Sequence, residues 1–186
     1  MNTQYLKNFV ITAFLATTTL FSPVGATAPT DIFLKIDGIN GESLDVKYPN
    51  DIVVRAWSWG ESSGTASTRK GSVPKSCIHD ISITKNLDSS SPQLIMDTVS
   101  GKVIPTATLT MRKAGSMEFE YLVMKMTNVI ISSYATGEAD GGDQIKETIT
   151  LHFDSMEGNY KKQNPDGTAG QAVIWDVSNL DSRGCK

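Results

Sequence analysis

Gln144-Ile145-Lys146-Glu147-Thr148-Ile149-Thr150-Leu151-His152-Phe153-Asp154-Ser155 reads as a strand with one buried face. Successive side chains of an extended chain point to opposite sides, so a period of two marks such a strand. Ile145, Ile149, Leu151 and Phe153 share one side, and Glu147 is the single exception there.

The same period recurs along the chain. Ile32, Leu34 and Ile36 oppose Lys35 and Asp37 in a first strand. From Asp51 to Trp59, Val53, Arg55, Trp57 and Trp59 alternate with Ile52, Val54 and Ala56. Cys77 to Lys85 reads as a third strand, with Ile81 and Ile83 inward. Ala107, Leu109 and Met111 pattern a fourth, closed by the turn residues Ala114-Gly115-Ser116. Glu118 to Ser133 exceeds an ordinary strand, so it forms two strands or one strand with a bend. Val173, Trp175 and Val177 set out the last. Asn159 to Gly170, with its turn Asn164-Pro165-Asp166-Gly167, reads as a connection between strands.

One helix interrupts the pattern. Ser91 is its expected cap, Pro92 suits its first turn, and Gly101 closes it, with Pro105 soon after. Leu94, Ile95, Thr98 and Val99 give it an apolar side that can plug one end of a barrel. Many short strands plus one helix predict a mostly β, antiparallel barrel or two-sheet sandwich with one flanking helix. Gly60 to Ser76 holds almost nothing apolar and reads as a long protruding loop.

The first residues differ from the rest. Lys7 is the only charge before Asp31, the run from Phe9 to Phe21 is apolar apart from small threonines, and Val24-Gly25-Ala26 supplies small residues. A basic start, apolar middle and small-residue end describe a secretory signal peptide, residues 1–26, cut after Ala26. The run is too short and threonine-rich for stable membrane insertion, the alternative reading, which needs about 20 apolar residues. The mature chain, 27–186, fits a single domain. Without Lys7 it carries 16 basic against 20 acidic side chains, a formal charge of −4, which argues against a nucleic-acid partner.

Catalytic patterns find no support in this setting. Gly60-Glu61-Ser62-Ser63-Gly64 matches the serine-hydrolase pattern G-x-S-x-G, but that motif works at a strand-to-helix turn, and here a strand enters a polar loop. His79 and His152, the only histidines, have no second ligand at zinc-like spacing. Glu138, Asp140 and Asp143 cluster between glycines without the spacing of a calcium loop. Trp57 and Trp59, on one side of their strand, suit a core or a subunit interface better than a sugar site. The expectation is a protein without cofactor, metal or enzymatic activity. Cys77 and Cys185 are the only cysteines, and export favours a disulfide between them within one chain. A bond between neighbouring subunits, or two free thiols, are the alternatives.

Several blocks, in order, carry a family resemblance. They begin with Asp31-Ile32-Phe33-Leu34-Lys35-Ile36-Asp37-Gly38, then Gly41-Glu42-Ser43, then Val54-Arg55-Ala56-Trp57-Ser58-Trp59-Gly60. They continue with Thr84-Lys85-Asn86-Leu87-Asp88, Ser91-Pro92-Gln93-Leu94 and Ser100-Gly101-Lys102. The most specific, after Pro105, is Leu109-Thr110-Met111-Arg112-Lys113-Ala114-Gly115, followed by Glu120-Tyr121-Leu122 and Ile131-Ser132-Ser133. From about Asp31 to Trp175 the chain resembles the Hcp (haemolysin-coregulated) proteins.

The resemblance implies a β-barrel with a short helix and a protruding loop. It also implies six-membered rings stacked into the inner tube of a type VI secretion system, with effectors and other system components as partners. The loop would then reach a neighbouring ring, with Gly60, Ser63, Thr65, Arg69, Lys70 and Val73 as candidate contacts. The export signal departs from the pattern, because tube subunits of this kind assemble in the cytoplasm. Two expectations follow for a periplasmic or secreted protein: a ring-forming tube subunit, or an exported monomeric effector or binding module on the same barrel.

Overall fold

A computed structural model describes residues 30–63, 76–114, 119–137 and 144–178. The expected signal peptide, the acidic cluster Glu138, Asp140 and Asp143, the loop residues Thr65, Arg69, Lys70 and Val73, and Cys185 lie outside them.

Ten strands and one helix follow in order: β1 (Thr30–Ile36), β2 (Ile52–Ser58), β3 (Glu61–Ser63), β4 (Ser76–Ile78), β5 (Ile81–Asn86), α1 (Ser91–Ser100), β6 (Ile104–Lys113), β7 (Phe119–Gly137), β8 (Lys146–His152), β9 (Ser155–Gln163) and β10 (Ala169–Ser178). Eight of the strands run antiparallel in the order β10-β9-β7-β6-β1-β2-β5-β8. An additional β7–β8 pairing closes six of them, β7-β6-β1-β2-β5-β8, into a barrel. β9 and β10 extend outward from the first half of β7, which leaves β10 as a free edge of this sheet among the described residues. β3 and β4 form a separate two-stranded ribbon.

β7 resolves the long segment as one strand with a bend. Its first half pairs with β6 and β9, its second with β8. Between them Asn128 takes a left-handed φ of 51°, and the register shifts between Ile131 and Ser133. The extra residue of a bulge turns the strand, which lets it serve the barrel and the outward extension together.

Alternation fills the barrel. Leu34, Ile36, Ile52, Val54, Ile81, Ile83, Leu109, Met111, Met124, Met126, Ile149 and Leu151 are buried in one core. Burial of each such side chain stabilises by roughly 1.5–3 kcal/mol. Leu94 of α1 joins this core, so the helix plugs the barrel through one residue. The rest of its expected apolar side departs from expectation: Ile95 and Val99 are exposed, as is Met96. Ser91 is not the cap either. Ser90 precedes the helix, and the Ser91 hydroxyl donates to Glu147 at 2.8 Å.

Three strand boundaries also differ. Cys77 to Lys85 is broken at His79 and Asp80 into β4 and β5. The Gln144–Ser155 strand begins only at Lys146 and ends at His152, so Ile145 lies outside it and is exposed. Asn159 to Gln163, expected to be connection, belongs to β9. Only the turn is loop: Asn164 donates its amide to Thr168 O, and Gly167 takes φ 86°. Here a glycine is required by the left-handed backbone.

Candidate assembly surface

The ribbon and the helix sit at opposite ends of the barrel. β2 and β5 are antiparallel, so the end of β2 and the start of β5, which carry β3 and β4, lie together. The far end of β5 leads into α1. The base of the expected Gly60–Ser76 loop is therefore not irregular: Glu61 pairs with Ile78, Ser62 with Cys77 and Ser63 with Ser76. Gly60 O accepts the His79 amide at 3.2 Å and closes the ribbon at the barrel.

The helix end is apolar outside and ionic beneath. Leu87 donates its amide to Ile145 O at 2.9 Å, so both exposed side chains adjoin, and Ile95, Met96, Val99 and Val103 are open on and after the helix. Inside, Lys85 and Glu147 are direct cross-strand partners, both fully buried, with Nζ–Oε2 at 2.6 Å. Lys85 Nζ also meets Asp88 Oδ1 at 2.8 Å and donates to Ser91 Oγ at 3.1 Å. Tyr134 donates its phenol to Glu147 Oε1 at 2.5 Å. Burial, and then the hydrogen bond to Glu147, push the Tyr134 pKa up to about 12. A buried charge is tolerated only when paired and hydrogen-bonded, and Glu147 of β8 is met from β5, β7 and the helix start.

On the outer face of β1 and β6, the segment from Gly38 to Asp51 is clamped down. The Arg112 guanidinium, nearly buried, lies 5.0 Å over the Phe33 ring and 5.6 Å over Tyr48. It holds Asp31 at 3.2 Å and forks onto both oxygens of Asp45. Burial alone would raise the Asp45 pKa, but the Lys47 amide and the Arg112 guanidinium overcome it and hold the carboxyl below its ordinary value. Phe33 and Tyr48 stack at 4.5 Å, and the Tyr48 phenol, raised by burial and by Glu120, donates to Glu120. From this fixed segment Leu44 and Val46 project, each 98% exposed. Large apolar side chains displayed on a rigid base are characteristic of contact surfaces.

The free edge offers a third surface. Val173 and Ile174 of β10 are 59% and 64% exposed, and no strand among the described residues covers that side of the sheet. Trp175 turns inward, where it stacks on Trp59 at 5.6 Å. Trp57 and Trp59 both pack against the core, as a pair of this kind was expected to do.

The suspected catalytic residues are placed without catalytic context. Ser62 Oγ lies 3.1 Å from His79 Nε2, both exposed, but β3 leads to a ribbon and not to a helix. His152 Nδ1 meets Asp80 Oδ1 at 2.9 Å, and Ser132 donates to the other Asp80 oxygen at 2.6 Å. Among the described residues no group of three His, Cys, Asp or Glu could hold a metal ion. Nor is any described helix long and apolar enough to cross a membrane. Of the loop candidates, Gly60 lies where the ribbon meets the barrel and Ser63 in its outermost described pair, opposite Ser76. Leu44, Val46 and the β10 edge were not foreseen: exposure of an apolar residue depends on what packs beside it, and spacing does not report that.

Comparison with known proteins agrees with this architecture. The family model described as type VI secretion system effector, Hcp, matches residues 33–160. Protein hcp1 of Pseudomonas aeruginosa is 40% identical over 153 residues, which cover 79% of this chain and 94% of that protein. The crystal structure of Hcp1 from Salmonella typhimurium superposes with a TM-score of 0.67 at 34% identity, covering 80% of this chain and 94% of that one. A type VI secretion system effector from Yersinia pestis does so with a TM-score of 0.62 at 31% identity, covering 79% and 100%. The chain belongs to the Hcp family of type VI secretion proteins, a family of structural and secreted proteins and not of enzymes.

Proposed function

We propose that the mature chain, beginning at Thr27, is an exported subunit that closes into six-membered rings. These rings stack through the Gly60–Ser76 arm into a tube able to carry effectors. The observation that carries the reading is the closed barrel whose outward extension ends, among the described residues, in the free edge of β10, on which Val173 and Ile174 are open. A strand edge is a template for another chain, and a ring needs one contact repeated between unlike surfaces. The arm supplies the contact along the stack, with Gly60, Ser63, Thr65, Arg69, Lys70 and Val73 as its residues. Cys77 and Cys185 pair within one chain, which suits an oxidising compartment. The Trp59–Trp175 stack supports that pairing, because it sets the ribbon that holds Cys77 beside β10, the strand that leads to the tail.

Light scattering on the purified mature chain tests the assembly. Rings appear as a mass six times that of the subunit, and Ile174→Lys, which places a charge on the edge, returns them to monomers. A wild-type chain that stays monomeric at every concentration overturns the ring and leaves the exported binding module. Mass spectrometry of the exported protein reads the start: Thr27 is expected, and a retained Met1 on cytoplasmic protein removes the export step.

A further inference from the structure

The arm root and the free edge belong to different sheets, and no ladder of strand hydrogen bonds joins them. A pair of indoles does. Trp59 leaves the end of β2, donates Nε1–H to His79 O at 3.0 Å, and so fastens to the base of the β3–β4 ribbon. The other face of the link is Trp175 of β10, parallel to Trp59 within 10°. Trp175 in turn has a seat made for it. It lies opposite Gly158 of β9, and a Cβ there would fall 2.0 Å from its ring. Only glycine lets the indole lie flat across the strand at that position. Gly158 is in turn the register partner of Met124 of β7, a buried residue of the barrel core, so the seat is built on the barrel wall.

We propose that this stack makes β10 and the arm root one coupled unit. A strand added to the β10 edge by a neighbouring copy is then felt at the arm. Coupling between two sites is reciprocal, so an arm held by a partner would in the same measure favour pairing at the edge. The coupling is a property of the single subunit, whereas its use in assembly rests on the ring reading.

Amide hydrogen exchange on the mature chain tests it. Trp175→Leu is expected to speed exchange of the β3–β4 ribbon amides by about tenfold, while β5 and β8 keep their wild-type rates. Trp59→Leu should do the same to the β10 amides near Trp175. If either tryptophan variant fails to fold, Gly158→Ala gives the same comparison, since it keeps both indoles and pushes Trp175 off its seat. Ribbon rates unchanged from wild type overturn the coupling, and so does a uniform rise across the barrel. In rings the ribbon amides should slow relative to monomers in the wild type but not in Trp175→Leu; equal slowing in both overturns the transmission. A chain that never forms rings removes the transmission together with the ring reading, and the monomer measurements then decide the coupling alone.

Discussion

Glu147 occupies a position that alternation assigns to an apolar side chain, and the structure gives the reason. Lys85 is its cross-strand partner, carried inward by the same period that buries Ile81 and Ile83. Glu147 was legible as an exception, but its pairing with Lys85 was not, because it depends on which strand lies beside which. Removing one member of a buried pair strands the other charge. Glu147→Ala leaves Lys85 with Asp88 and the Ser91 hydroxyl and should cost about 3 kcal/mol in urea denaturation. Lys85→Met combined with Glu147→Leu should recover most of that loss, since well-packed apolar residues often replace such a pair at little cost. Tyr134 adds a pH dependence. Its phenol titrates near 10 when unfolded and is pushed up to about 12 in the fold, so the fold favours the neutral form. That contribution is complete below pH 10 and drains away as pH rises toward 12. Urea midpoints measured across this range should fall for the wild type and fall less steeply for Tyr134→Phe.

At the scale of elements, strands with strong alternation were readable and β9 was not. Its sequence, Ser155 to Gln163, offers only Met156 and Gly158 as buried positions. The second is a glycine because Trp175 of another strand fills the space a side chain would take. A contact that replaces a side chain from elsewhere leaves no periodic trace. The helix was found from its Pro92 and Gly101, whereas its open face was not, because the pattern assumed that Ile95 and Val99 would pack. Two glycines separate backbone strain from collision. Gly101 takes φ 63° with open space beside it, so Gly101→Ala should cost about 1 kcal/mol and no more than a frayed helix end. At Gly41 a Cβ would meet Asp51 O at 2.6 Å, so Gly41→Ala should destabilise more and loosen the segment carrying Leu44 and Val46. Denaturation midpoints of the two variants give the order. Deleting Thr65 to Ser72 should leave the melting temperature close to wild type, since almost nothing apolar is lost, while sedimentation shows rings that no longer stack. Unfolding on that deletion would make the segment structural instead.

For the molecule as a whole, the closed barrel follows from the repeated period, whereas the outward pair β9–β10 follows from a bend in β7 that spacing alone left open. Pairing of Cys77 with Cys185 closes a loop on the order of a hundred residues, for which loop-closure entropy gives about 4–5 kcal/mol. On non-reducing gels the monomer should run faster than its reduced form. A ladder of covalent multimers would move the bond to the subunit interface, and unchanged mobility with two reactive thiols would remove it. The opposite placement of ribbon and helix has a consequence of its own. A subunit with an arm at one end and an apolar helix at the other has a front and a back. Rings joined arm to helix must all face the same way, because a reversed ring would set arm against arm. A filament built as proposed would be vectorial: its two tips would differ in chemistry, one presenting the ribbon ends and the other Met96 and Val99. A cap shaped for one tip would not seat on the other, so the direction of the proposed tube would already be written into one protomer.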